Sequence, residues 1–264
     1  MPHRHPPGRA TRTNRSASDG APTLSRVEEL LLAWYDASGR DLPWRSTRDP
    51  YAILVSEVML QQTQVDRVVP RYERWLERWP TAAALAAASP ADVIREWQGL
   101  GYNRRAVALQ GAARRVAADG WPADLTKLPG IGPYTAAALR NFAFGDDVLP
   151  RDVNVERVER RTRRRFTGRA AQALMDLGAT VCLARIPRCE ACPLAEACPS
   201  RGTRDEPTRR QSPFAGSFRQ RRAAVLRLVL DAPQSVEDLD PAVVGSLARD
   251  GLVVVEGDRV LVPT

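Results

Sequence analysis

Apolar residues recur at helical spacing through most of the chain. The spacing predicts long helices over 24–38, 52–69, 103–118 and 155–165 and shorter ones over 71–79, 81–88, 91–97, 135–140 and 170–181. Alternating apolar and polar positions first occur after residue 250, where 253–262 predicts a hairpin that turns at Gly257-Asp258. The pattern therefore predicts an all-α fold for about the first 200 residues.

A carboxylate interrupts the apolar face of the helix predicted over 52–69. Glu57 shares that face with Ile53, Leu60 and Gln64. Burial on such a face raises the pKa of a carboxyl group, which suits a general acid. Pairing with a nearby arginine is the alternative that the sequence leaves open.

A glycine turn precedes the helix predicted over 135–140. Gly130 and Gly132 are expected to adopt positive φ and to leave backbone N–H groups uncovered at a helix N-terminus, where a phosphate can bind. An ordinary corner between two helices could use the same glycines. Asp152-Val153-Asn154, which starts 20 residues after Gly132, argues against an ordinary corner.

The four cysteines of the chain lie within 17 residues, in the order C-x6-C-x2-C-x5-C. The single CxxC pair is flanked by longer arms, whereas zinc sites usually show two close pairs, and an iron–sulfur cluster is the other occupant that four thiolates can hold. Four thiolates predict a single site, and zinc remains the alternative occupant. Its predicted ligands are Cys182, Cys189, Cys192 and Cys198.

The net charge of +8 predicts a polyanionic partner. Almost all the positive charge is arginine, because Lys127 is the only lysine, and Arg104, Arg105, Arg114 and Arg115 are expected on the solvent side of the helix over 103–118. Both histidines lie in residues 1–22, which composition predicts to be a disordered basic arm, so hydrolases that depend on histidine are excluded. No apolar run is long enough to span a membrane, and a cytoplasmic location is expected.

Taken together, residues 24–200 resemble the A/G-specific adenine DNA glycosylases of the MutY type, within the helix-hairpin-helix/Gly-Pro-Asp superfamily. The matching strings are LPWR (42–45), SEVMLQQTQV (56–65), GLGY (99–102), LPGIGPYTAAA (128–138), DVNVERV (152–158), MDLGA (175–179) and the cysteine run. The resemblance implies a two-lobed helical core with the active site between the lobes. Its parts would be a six-helix module with a helix-hairpin-helix over 42–145 and an iron–sulfur cluster domain built from 23–41 and 146–203.

The resemblance also assigns roles to individual residues. Glu57 would protonate the departing adenine, and Asp152 would face the anomeric carbon. Tyr134 and Asn154 would hydrogen-bond around the Asp152 carboxylate. Contacts with DNA are implied or expected for Gln62 and Tyr102, which would insert into the duplex, for Arg45 and Asp176 near the flipped base, and for Thr63, Gly130 and Gly132. Helix capping is the alternative role for Asp176.

These roles predict one 4Fe-4S cluster as cofactor and double-stranded DNA with a flipped-out adenine as partner of a monomer. The adenine would be mispaired with 8-oxoguanine or guanine. Relatives that also nick DNA carry a lysine where this chain has Tyr134, so a monofunctional glycosylase is expected. Two alternatives stay open, a thymine glycosylase acting on G:T mismatches and a non-catalytic iron–sulfur regulator that binds DNA.

The pattern after residue 203 differs from that of the core. Residues 204–217 are expected to form a linker, and 218–264 predict two helices and a hairpin, as in a small winged-helix-like module. Many adenine glycosylases end instead in a larger Nudix-like domain that recognises 8-oxoguanine. Residues 218–264 are too few to form such a domain, so recognition of 8-oxoguanine by one is not expected.

Overall fold

The computed structural model describes residues 25–206 and 213–263, so the predicted arm over 1–22 and part of the predicted linker lie outside it. The described chain is mostly helical, as the sequence predicts. Its α-helices are α1 Arg26–Ser38, α2 Pro50–Leu60, α3 Val65–Arg78, α4 Ala82–Ala87, α5 Pro90–Glu96, α6 Arg104–Asp119, α7 Pro133–Phe142, α8 Val153–Thr162, α9 Ala171–Asp176, α10 Phe218–Asp231 and α11 Pro241–Arg249. The strands are β1 Gln234–Ser235, β2 Val254–Glu256 and β3 Arg259–Leu261.

The first hydrophobic core is built by α2 to α7. Helix α2 is buried from Tyr51 to Met59, because its sequence is apolar on nearly every side and other helices surround it. Interlocked tryptophans fill the centre, with Trp75 in edge-to-face contact with Trp79 and Trp97 at centroid distances of 4.7 and 5.4 Å.

The second core joins the first helix of the chain to later ones. Val27 and Leu31 of α1 pack with residues of α8 and α9, and Leu194 brings the cysteine loop into the same core. Phe142, at the end of α7, packs against both cores. The two lobes therefore meet where α7 leads into α8.

The third core belongs to the C-terminal module, in which α10 and α11 pack on an antiparallel sheet of order β1-β3-β2. The predicted hairpin is present, with Val255 opposite Val260, but β1 adds a strand that the sequence did not indicate. Ile94 of α5 is buried in this third core, and Val107 of α6 packs against it. The module is thus attached to the six-helix lobe by shared apolar packing.

One predicted helix is wrong in its length. The apolar spacing over 52–69 predicts a single helix, whereas the structure ends α2 at Leu60 and starts α3 at Val65. Gln62 between them has φ 60°, in the left-handed region. No glycine or proline marks this break, and Arg105 of α6 donates hydrogen bonds to the carbonyls of Val58, Met59 and Gln61 there. None of the described helices is long and apolar enough to cross a membrane.

Candidate active site

Glu57 lies in the middle of α2 with only 7% of its surface exposed. The pKa of its carboxyl is raised to about 7. Burial is the main cause, a hydrogen bond with Tyr134 acts in the opposite direction, and the charge of Asp152 adds to the increase. No described salt bridge includes Glu57, so the arginine-paired alternative is not what the structure has. A carboxyl in these surroundings keeps its proton at a pH where an exposed glutamate has lost it.

Tyr134 stands in the first turn of α7, which packs against α2. Its hydroxyl hydrogen-bonds with Glu57, and burial together with the two nearby carboxyls raises its pKa. The hydrogen bond to Asp152 that the resemblance implied stays a prediction. Tyr134 therefore lies beside both acids, hydrogen-bonded to Glu57 and close enough to Asp152 for its charge to affect the tyrosine pKa.

Asp152 is the N-cap of α8. Its Oδ1 accepts hydrogen bonds from the backbone N–H groups of Asn154 (2.9 Å) and Val155 (2.7 Å), and its Oδ2 accepts one from the Asn154 side chain (3.0 Å). Three N–H donors therefore surround the Asp152 carboxylate at the positive end of the α8 dipole. Glu57 and Asp152 thus lie close together but in opposite environments.

Two residues that the sequence did not single out hold Asn154 in place. Arg157 donates to Asn154 Oδ1 (2.7 Å) and to the carbonyls of Gly178 (2.6 Å) and Cys182 (2.7 Å). Gly178 itself approaches so closely that a Cβ there would lie 2.5 Å from Asn154 Cβ. The only sequence sign of this contact is the glycine in the MDLGA string.

The Asp176 carboxylate and the Arg45 guanidinium bind each other. The Asp176 carboxylate, 1% exposed, accepts two hydrogen bonds from the Arg45 guanidinium at 2.8 and 2.6 Å and three more from Arg40. Burial raises the pKa of Asp176, but the hydrogen bonds from Arg45 and Arg40 outweigh it and hold that pKa below its usual value. The Asp176 carboxylate therefore joins the two lobes through Arg45 and makes no helix-capping hydrogen bond. Contact of Asp176 with a base stays a prediction.

The two side chains expected to enter the duplex stand on neighbouring turns. Gln62 and Tyr102 are both exposed, Tyr102 by 48%, and both have left-handed backbone with φ 60° and 48°. Non-glycine residues in this region cost about 1–2 kcal/mol each and usually mark functional sites. Thr63 ties the turns together, since its hydroxyl donates to the Leu100 carbonyl at 3.2 Å.

The glycines of the predicted hairpin differ from each other. Gly130 has φ 75°, and a Cβ there would lie 2.7 Å from Ala108 Cβ, so glycine is required. Gly132 has φ −90°, which corrects the expectation of positive φ. It is the N-cap of α7 without a side-chain cap, and nothing lies within 4 Å of where its Cβ would be. No side chain caps this helix end, so its first N–H groups have no side-chain acceptor, as a phosphate site requires.

The four cysteines line one cavity, together with Arg161 and Ser200. The pKa of Cys192 is raised to about 11, mainly by burial. The other three cysteines contribute to the increase, so the four sulfurs lie near one another. Among the described residues, however, no three cysteine, histidine or acidic side chains converge closely enough to hold a single metal ion. The donors Arg161 Nη1 and Gly202 N approach Cys182 Sγ and Cys189 Sγ at 3.4 and 3.3 Å. Two of the four cysteine sulfurs thus accept hydrogen bonds from N–H donors beside the cavity.

Comparisons with known proteins agree with this geometry. A family model described as HhH-GPD superfamily base excision DNA repair protein matches residues 55–176, the stretch from α2 to α9. The adenine DNA glycosylase of Mycolicibacterium smegmatis is 42% identical over 88% of this chain and 93% of that protein. The chain belongs to the adenine DNA glycosylase family. The human member is 40% identical over 65% of this chain and 38% of its own length.

Solved structures share the core of this family fold. A thermostable thymine-DNA glycosylase is 27% identical, with a TM-score of 0.60 over 66% of this chain and 94% of that one. A trapped endonuclease III–DNA complex is 23% identical, with a TM-score of 0.56 over 66% and 92%, and supports the fold alone.

Proposed function

We propose that this protein is a base-excision-repair glycosylase that hydrolyses the N-glycosidic bond of adenine mispaired with 8-oxoguanine or guanine in double-stranded DNA. The observation that carries the proposal is the pairing of a buried Glu57 with an N-capping Asp152 at the meeting of the two lobes. Family membership supports adenine as the base and DNA as the partner. The enzyme would act as a monomer on chromosomal DNA.

The reaction needs two acids in different protonation states. Cleaving the bond places positive charge on the sugar and negative charge on the departing base. Glu57, protonated near neutral pH, donates its proton to the base, and Tyr134 holds the carboxyl in orientation. A water molecule then adds to the anomeric carbon and returns a proton to Glu57, which completes the hydrolysis. Asp152 stays ionised against the sugar, with Asn154 fixing its Oδ2. The acid that donates and the acid that stabilises are thus set apart by their surroundings.

The target base must first leave the helix, because its glycosidic bond is shielded inside a duplex. Gln62 and Tyr102 are placed to fill the space that the adenine vacates. The first N–H groups of α7 after Gly132, which no side chain caps, would hold a phosphate of the backbone. Arg45, 12% exposed and bound to Asp176, would support the lobe junction beside the flipped base.

We further propose that Cys182, Cys189, Cys192 and Cys198 hold one 4Fe-4S cluster. The shared cavity and the N–H donors on two of the sulfurs support this. When bound, the cluster would crosslink a loop that has little core of its own. Arg185 and Arg188 of that loop would then be presented to the DNA backbone.

The lysine content supports a monofunctional enzyme. Lys127 is exposed in the turn before the hairpin, seven residues from Tyr134, so no lysine is available for a Schiff base at the reacting sugar. Purified protein should therefore release adenine from A:8-oxoguanine and A:G duplexes and leave abasic sites that break only in hot alkali.

The same assay with A:C and T:G duplexes tests the alternatives. Preferential release of thymine from T:G would establish the thymine glycosylase instead. Tight DNA binding with no base released from any duplex would favour the non-catalytic regulator.

The rate of adenine release should fall as pH rises through about 7. Only protonated Glu57 can donate, and its raised pKa of about 7 means that the protonated fraction drops about tenfold per pH unit above that value. Single-turnover rates from about pH 5 to about pH 9 would measure this limb. A rate that is flat across neutral pH would contradict the assignment of Glu57 as the acid.

Replacing Gly178 with alanine should slow adenine release by about 10-fold or more, because the added methyl group would push Asn154 away from Asp152. Overpacking of this kind also costs about 1–3 kcal/mol of stability. Single-turnover rates and thermal melting would measure both effects. Gly245→Ala on α11 is the matched control, since its Cβ would have no neighbour closer than Arg249 Nη1 at 3.6 Å. Equal behaviour of the two variants would contradict the close contact at Gly178.

A further inference from the structure

Arg105 lies in the first turn of α6 and is 7% exposed. The sequence pattern placed it on the solvent side with Arg104, Arg114 and Arg115, and for Arg105 this is wrong. Burial lowers the pKa of its guanidinium to about 10, so it remains a cation at neutral pH. A buried cation is costly unless its hydrogen bonds are satisfied.

The guanidinium of Arg105 bonds with both turns that carry the expected wedge residues. Toward the turn after α2, Nη1 donates to the carbonyls of Val58 (2.7 Å), Met59 (3.2 Å) and Gln61 (2.6 Å), and Nη2 donates to Thr63 Oγ1 (3.2 Å). Toward the turn before α6, Nη2 donates to the carbonyls of Leu100 (3.2 Å) and Gly101 (2.9 Å), and Nε donates to that of Tyr102 (3.4 Å).

No carboxylate forms a salt bridge with Arg105 in the described part of the chain. Its charge is instead compensated by the negative end of α2, whose last carbonyls it binds, and by the ring of Trp97 at 5.3 Å. A carboxylate partner would stabilise the cation without touching the turns. The carbonyls that replace it belong to the two turns that need a fixed shape.

That shape is strained at the residues the turns expose. Gln62 and Tyr102, with Arg163, are the non-glycine residues with positive φ among the described residues. Such backbone persists only when its surroundings over-determine it. Arg67 and Arg71 also contact this region, but each reaches one turn only, through the carbonyls of Gly99 and Glu96. Thr63 also bridges the turns through its hydroxyl, whereas Arg105 binds both turns at once with all three of its guanidinium nitrogens.

We propose that Arg105 is a positioning residue that locks the Gln62 and Tyr102 turns into one rigid wedge for everting the target base. The inference rests on the proposed function, since a wedge has work to do only if a base is flipped. The planar fork of arginine is essential, because its three nitrogens point in different directions toward the two turns. A lysine in its place would keep the charge but could not span both turns.

The test compares two duplexes in single-turnover reactions of the full chain. In one, adenine is paired with guanine; in the other, adenine faces an abasic site and has no base pair to break. Arg105→Lys is expected to slow release from the paired duplex by about 10- to 100-fold and from the unpaired one by less than about 3-fold. Arg115→Lys, exposed on the same helix and paired only with Asp119, is the control and should change neither rate.

Equal losses on both duplexes, or no loss on either, would overturn the proposal, because a merely structural role would not distinguish them. In the Gln62→Ala/Tyr102→Ala background, Arg105→Lys should add less than about 2-fold, since there would be no wedge left to hold. If Arg105→Lys does not fold, Thr63→Val removes one member of the same network and must show the same preference with a smaller loss.

A second measurement separates this inference from the proposed function. With 2-aminopurine at the target position, fluorescence reports eversion whether or not a base is released. If the wild-type chain everts the base but releases nothing, the proposed function fails, and the inference is still judged by Arg105→Lys. Full fluorescence with Arg105→Lys would contradict the wedge role even in an active enzyme.

Discussion

Glu57→Gln is expected to reduce the single-turnover rate of adenine release by about 10²- to 10⁴-fold, the usual contribution of a positioned proton donor. Glutamine has nearly the same shape and can still accept a hydrogen bond from Tyr134, so the packing of α2 is kept. What is lost is the proton that the buried carboxyl holds near neutral pH. Quenched-flow assays on an A:G duplex would measure the change.

The remaining activity of Glu57→Gln should also lose the decline in rate through about pH 7, because the titrating group is gone. Glu77→Gln on the exposed side of α3 is a matched control and should leave rate and profile unchanged. A variant with full activity and an unaltered pH profile would show that another group supplies the proton.

Asp152→Asn is expected to slow release by on the order of 10³-fold while DNA binding is retained, because electrostatic stabilisation of developing charge is commonly of this size. Asparagine is as good an N-cap as aspartate, so an amide oxygen can still accept from the backbone of Asn154 and Val155 and α8 should remain folded. The loss would therefore report the missing negative charge opposite the sugar.

Binding is measured separately, with a non-cleavable substrate analogue and the same protein preparations. Asp66→Asn in the first turn of α3 tests for a general effect of removing one acid. If Asp152→Asn bound DNA and released adenine as the wild type does, Asp152 would not be the charge that faces the sugar. The regulator hypothesis requires that Asp152→Asn leave DNA binding unchanged and that neither protein release a base.

The site features that depend on residues close together in the sequence could be predicted. Glu57 was found because a carboxylate on an apolar helix face is chemically conspicuous, and the structure buries it as that pattern requires. Asp152 opens a helix, where an aspartate meets backbone N–H donors by local geometry alone. The cysteine spacing likewise indicated a common site, and all four cysteines line one cavity.

Features set by tertiary contacts were not predictable. The break after Leu60 contains no glycine or proline, and the carbonyls there bind Arg105, which lies more than 40 residues away in the sequence. The same arginine was assigned to solvent because helical spacing does not reveal a carbonyl-lined site. The sequence pattern does not reveal that Asp176 pairs with Arg40 and Arg45, because the pairing joins segments more than 130 residues apart.

Ending the chain at the linker would not yield a minimal enzyme. Removing residues 218–263 would uncover Ile94 and Val107, which the C-terminal module now shields from water. Such a fragment should self-associate, which light scattering would detect, although every proposed catalytic residue is still present. A late nonsense codon in this gene would then abolish repair through loss of usable protein, with the chemistry itself untouched.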